Sequence, residues 1–110
     1  PGWTKMNFWS KDGSCIYLDQ NTEDNTHIAI DAYWNGGLKN DQMAIEVHIR
    51  NSEPNRTEAY LSSITTLSNY KWNGERYVYY LNAPKEEAEA FLLMDKELTF
   101  IITIIEQLKL

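Results

Sequence analysis

A single cysteine, Cys15, stands in a chain of 110 residues. No intrachain disulfide can form, so the covalent framework of a small disulfide-rich scaffold is excluded. Proline and glycine are sparse, at 3 and 5 residues, and no Pro-rich or Gly-rich tract interrupts the sequence. Long apolar runs are missing. The longest, Leu98 to Ile105, carries two threonines and falls short of the roughly 18 residues a membrane span requires, so membrane insertion is not expected. Positive charge is also scarce. Lys and Arg number 10 against 16 Asp and Glu, a formal net charge of −6. That balance disfavours nucleic acid and anionic membranes, which bind to clustered cations; it is compatible with a basic partner, but solubility is the better reading of so mild an excess.

Motifs of known chemistry are missing too. There is no phosphate loop, dinucleotide fingerprint or Gly-x-Ser-x-Gly elbow. One cysteine and two histidines do not make a zinc spacing. Asp19 to Asp24 begins like a calcium loop, but its sixth place is Asp24 instead of Gly and its twelfth is Ile30 instead of Glu. Neither a metal nor a cofactor is therefore expected. Asn55-Arg56-Thr57 matches a glycosylation triplet, which matters only in a secreted eukaryotic protein. The chain opens on Pro1-Gly2 instead of Met, which reads as a trimmed sequence or a mature product. A cytoplasmic protein and a secreted or periplasmic mature form both fit.

What is present points to one folded domain over residues 1–110. Hydrophobic residues make up 43% and charged residues 24%, as in ordinary globular chains, so wholesale disorder is not expected. Aromatics reach 13%, with 4 Trp and 7 Tyr, which favours strands.

Trp3 to Ser10 reads as a strand, with Thr4, Met6 and Phe8 on one face. Asp12-Gly13 offers a two-residue turn back into Cys15–Gln20, which sets Phe8 opposite Tyr17 and Trp9 opposite Ile16. Two strictly alternating segments follow. His27 to Trp34 places Ile28, Ile30, Ala32 and Trp34 on one face. Met43 to Arg50 places Met43, Ile45, Val47 and Ile49 on one face, with Glu46, His48 and Arg50 opposite. A hairpin loop with Gly36-Gly37 joins them. Residues 57–67 show helical spacing at Tyr60, Ile64 and Leu67, but their Ser, Thr and Ile content favours a strand. Asn73-Gly74 marks another hairpin tip. A helix is expected from Pro84 to Met94, capped by Asn82 and packed through Ala88, Phe91 and Leu92. Leu98 to Ile105, apolar on both faces, reads as a buried last strand. The expected fold is mostly β within the α+β class: an antiparallel, sandwich-like sheet assembly with one helix near the C-terminus before that strand. Ile30, Ile45, Val47, Phe91, Leu92, Phe100 and Ile102 should be buried.

Few residues invite chemistry. Cys15, His27 and His48 would need to converge for nucleophilic catalysis, and Cys15 reads instead as a buried structural thiol. Asp31 and Glu46 fall on outer strand faces and read as solubilising charges. No catalytic residue is therefore assigned. The hairpin about Asn73-Gly74 is richer. A two-residue turn sets Tyr70 opposite Tyr77 and Lys71 opposite Arg76, with Trp72 beside them. Tyr70, Lys71, Trp72, Arg76 and Tyr77 form the candidate binding surface, and Trp34 and Leu38 a second. The expected function is that of a non-enzymatic protein-binding domain: an inhibitor, an immunity-type protein or an adaptor. The alternative is a small-ligand or carbohydrate-binding β-domain using Trp and Tyr stacking surfaces. Homo-oligomerisation is compatible with either.

Overall fold

Strict alternation in the two central segments produces the expected strands. The computed structural model describes residues 4–5, 15–21, 26–34 and 41–108, with side chains described over 26–34 and 41–108. The strands are β1 (Thr4–Lys5), β2 (Cys15–Asn21), β3 (His27–Trp34), β4 (Gln42–Ile49), β5 (Lys71–Trp72) and β6 (Tyr77–Asn82). They form one six-stranded sheet in the order β1-β2-β3-β4-β6-β5, with every pairing antiparallel. Ile28, Ile30, Ala32 and Trp34 of β3 lie opposite Ile49, Val47, Ile45 and Met43 of β4. All eight are buried. The chain is thus α+β with an antiparallel sheet. Among the described residues there is no second sheet to make a sandwich. Helices cover the core face instead.

Residues 57–67 are helical, not a strand. α1 (Pro54–Tyr60) opens with Pro54, whose missing N–H costs nothing at a helix start, and α2 (Ile64–Leu67) follows a short turn. Thr57 faces the sheet and accepts the Ile49 N–H through Oγ1 at 3.1 Å, which closes the last backbone donor of β4. Leu61 and Ile64 complete the buried side.

The expected last strand is also helical. α3 runs from Glu87 to Leu108, later than the expected Pro84 start and well past Met94. No strand follows it among the described residues. Ala90, Met94, Leu98, Ile101 and Ile105 recur every three or four positions and are buried as one stripe. Phe91 and Ile102 pack at the margin of the core. Leu92 and Phe100, expected inside, are 68% and 44% exposed, because a helix turns them away from the sheet. Ala88 is exposed for the same reason. The β-branched content of 101–105 lowers helix propensity by only a few tenths of a kcal/mol per residue, less than burying the stripe returns.

Candidate functional site

The Asn73-Gly74 hairpin forms, but with a longer turn. Asn73 Oδ1 accepts the N–H groups of Glu75 and Arg76 at 2.9 and 2.8 Å, and Gly74 takes a φ of 101°. This side-chain mimicry of a turn draws two more residues into the loop. Trp72 therefore lies opposite Tyr77, and Lys71 opposite Val78, in place of the expected pairs. A shift of two keeps every side chain on its face. β1 and β2 are offset by two in the opposite direction: Thr4 lies opposite Asp19, where a two-residue turn would set it opposite Asn21. Phe8, Trp9 and the Asp12-Gly13 turn lie outside the described residues.

The hairpin aromatics point inward. Tyr70 and Tyr77 are 1% and 2% exposed. Trp72 stacks on Tyr77 with ring centroids 4.8 Å apart, and Tyr70 on Tyr79 at 5.3 Å. The Tyr77 hydroxyl donates to the Glu58 carbonyl at 2.6 Å, fastening β6 to α1. Of the five candidate residues, Lys71 is exposed and Trp72 and Arg76 are half-buried. In the second candidate pair, Trp34 is buried against Phe91, edge-on at 5.5 Å. Leu38 and the Gly36-Gly37 loop lie outside the described residues.

Arg76, freed from Lys71, crosses the outer sheet face. Its Nη1 donates to Asp31 Oδ2 at 2.7 Å and to Glu46 Oε1 at 2.9 Å. His48 Nε2 lies 3.2 Å from the same Asp31 oxygen. Asp31 and Glu46 sit directly opposite each other on β3 and β4. Burial opposes the charge on Arg76, but Glu46 and Asp31 outweigh it and hold the guanidinium above its ordinary pKa. The two carboxylates are therefore partners in a cross-strand clamp, not loose solubilising charges. Beside it an open polar cavity of about 420 Å³ is lined by His48, Asn51, Glu75 and Arg76, among others.

Strand register separates the cysteine from the histidines. Cys15 lies opposite Tyr33, whereas His27 lies opposite Asn21 at the far end of β2. His48 lies opposite Ala29, four positions along β3 from Tyr33, or about 13 Å at the rise of a strand. Thr57 of the glycosylation triplet is buried in α1. Among the described residues, no group of acidic, His or Cys side chains could hold a metal, and no helix is long and apolar enough to cross a membrane.

Comparison with protein-family models, curated proteins and solved structures finds no match.

Two further features lie where β5 stops. The Ala83 N–H donates to the Asp41 carbonyl at 2.7 Å, and the Asn73 N–H to the Arg76 carbonyl at 3.0 Å. Hydrogen-bonding direction alternates along a strand. Odd-numbered residues of β6 thus bond to β4, and even-numbered ones face β5. β5 reaches only Val78, so the N–H and C=O groups of Tyr80 and Asn82 face an edge that has no strand beside it among the described residues. A cavity of about 410 Å³, lined by Asn69, Lys71, Val78, Tyr79 and Tyr80, fills the place where β5 would continue. Tyr80 is 52% exposed above it.

The adjoining groove, about 470 Å³, lies between α3 and the segment after α2. Leu67, Tyr79, Lys96, Glu97 and Phe100 line it. The Tyr70 hydroxyl is buried beside Glu97 without a well-formed hydrogen bond. Burial, then the charges of Glu97 and Tyr79, push the Tyr70 phenol far above its usual range. Burial also raises the Glu97 carboxyl, against a smaller pull downward from the Tyr70 hydroxyl and Lys96. A carboxyl raised in the folded state contributes stability that is present below its ordinary range and is lost as pH rises through the folded value. Glu97→Gln should therefore gain stability relative to the parent between about pH 3 and pH 7. Urea titrations at both pH values measure it, and a constant difference would show that Glu97 is as solvated folded as unfolded.

Of the residues lining the edge cavity and the groove, Lys71 alone belonged to the sequence-derived site. The edge depends on where β5 ends, and the groove on residues 98–105 being helical.

Proposed function

We propose that this is a non-enzymatic protein-binding domain that takes an extended segment of its partner along the open edge of β6. The observation that carries this reading is the pair of outward-facing residues, Tyr80 and Asn82, beside a cavity where a neighbouring strand would run. An added strand would satisfy those backbone groups and send alternate side chains to the two faces of the sheet. One set would meet Tyr80 and Val78, the other the groove beside α3. The open edge is short, so the side-chain contacts must supply much of the affinity and the contact suits a transient complex. The carbohydrate-binding alternative draws less support, because the hairpin rings stack on one another.

Selection from a phage-displayed random peptide library tests this reading. The enriched peptides should be rich in β-branched residues and lose binding to Tyr80→Pro, which removes an outward N–H and leaves the β4 ladder untouched. They should still bind Leu92→Ser, altered on the exposed side of α3. Circular dichroism checks that both variants keep the parent fold. Peptides that bind Tyr80→Pro as well as the parent would place the site elsewhere.

A further inference from the structure

The groove beside α3 combines two rings with a half-buried carboxyl and an exposed lysine. Glu97 projects from α3 and is half-buried, with a carboxyl that burial makes reluctant to ionise. Its neighbours are Tyr70, whose buried hydroxyl lacks a well-formed hydrogen bond, and Lys96, which is exposed. Phe100 and Leu67 stand at the groove with much of their apolar surface in solvent, and Tyr79 supplies a second ring. No intramolecular ion pair of the described residues engages Glu97. A half-buried carboxylate flanked by aromatic faces is the environment that stabilises a cation, through charge and through ring quadrupoles. The excess of acidic over basic residues in the whole chain, a formal −6, favours the approach of the same sign of ligand.

We propose that this groove takes a basic side chain, arginine or lysine, carried by the extended partner segment on the β6 edge. The inference rests on the edge-docking reading and adds the chemistry of the partner. The groove and the edge cavity share Asn69 and Tyr79 in their linings, so one strand can reach both. Side chains of an added strand that point to the helix side fall toward Glu97, and their neighbours fall toward Tyr80. Glu97 meets the cation, Phe100 and Tyr79 flank it, and Leu67 covers the aliphatic stem.

Fluorescence anisotropy with short, end-capped, labelled peptides tests this. The peptides alternate valine and threonine and carry arginine, citrulline or glutamate at the centre. Capped arginine alone, added as a competitor, is the small-molecule control. The parent should bind the arginine peptide about tenfold tighter than the citrulline peptide and reject the glutamate one. Glu97→Gln, which removes a half-buried charge and should fold, should abolish that preference by weakening the arginine peptide about tenfold. Phe100→Ala should weaken only the arginine peptide. Equal binding of all three peptides by the parent overturns the basic-partner inference and leaves edge docking standing. A preference that survives Glu97→Gln places the cation elsewhere and overturns it too. Capped arginine that displaces the peptide at equal concentration makes this a small-cation site, not a segment-docking one. Binding of no peptide overturns both readings.

Discussion

Replacing Arg76 by alanine should destabilise the domain by about 3 kcal/mol, toward the lower end for a buried charge deprived of its partner. The guanidinium is the shared donor to Asp31 and Glu46, and its side chain retains 31% exposure while that of Asp31 retains 10%. Removing it leaves two carboxylates facing each other across β3 and β4, with His48 beside Asp31. Solvent reaches Glu46 more readily, so most of the penalty falls on Asp31. The triple variant Arg76→Met, Asp31→Val, Glu46→Val should recover most of the loss, because apolar replacement removes the desolvation cost together with the ion pairs. Chemical denaturation of the parent, single and triple variants measures this. A single-variant cost under about 1 kcal/mol would mean the cluster behaves as an ordinary surface ion pair.

Ile101→Ala should cost about 2–5 kcal/mol, and Phe100→Ala much less, although phenylalanine is the larger side chain. Ile101 is fully buried in the stripe that α3 lays on the sheet, while Phe100 stands at the groove with 44% of its surface in solvent. On a strand, adjacent residues would face opposite sides, and a doubly covered strand would make both substitutions severe. Thermal unfolding of the two variants separates the cases. Equal, large losses would show that Phe100 is part of the core.

The β3–β4 hairpin was legible because its alternation is strict and its inner faces are uniformly apolar. Ile30, Ile45 and Val47 are buried as the sequence implied. Residues 57–67 and 98–105 are helical against two different strand signals. Ser, Thr and Ile content points to a strand in 57–67, and apolar character on both faces does so in 98–105, yet Tyr60, Ile64 and Leu67, like Leu98, Ile101 and Ile105, stand at helical intervals. Packing against a sheet stabilises such a stripe more than residue preference opposes it. The hairpin site was misjudged differently. Asn73 bonds its own turn, which lengthens the loop and moves the pairing by two, and only the pairing reveals that Arg76 meets Asp31 instead of Lys71. That Tyr70 and Tyr77 turn inward follows from the face they share with Tyr79 and Leu81, opposite Ile45 and Met43. The edge and groove could not be seen from sequence, because both arise from where one short strand stops.

The position of α3 after the six described strands has a consequence during synthesis. A ribosome releases β3 and β4 before the helix that covers them, at roughly 5–20 residues per second. For a few seconds the apolar row from Ile28 to Trp34, paired with Met43 to Ile49, has its cover still to come. A nascent sheet in that state is a substrate for chaperones and for other copies of itself. Rare codons late in the gene, which lengthen that interval, should lower soluble yield more than the same codons placed early.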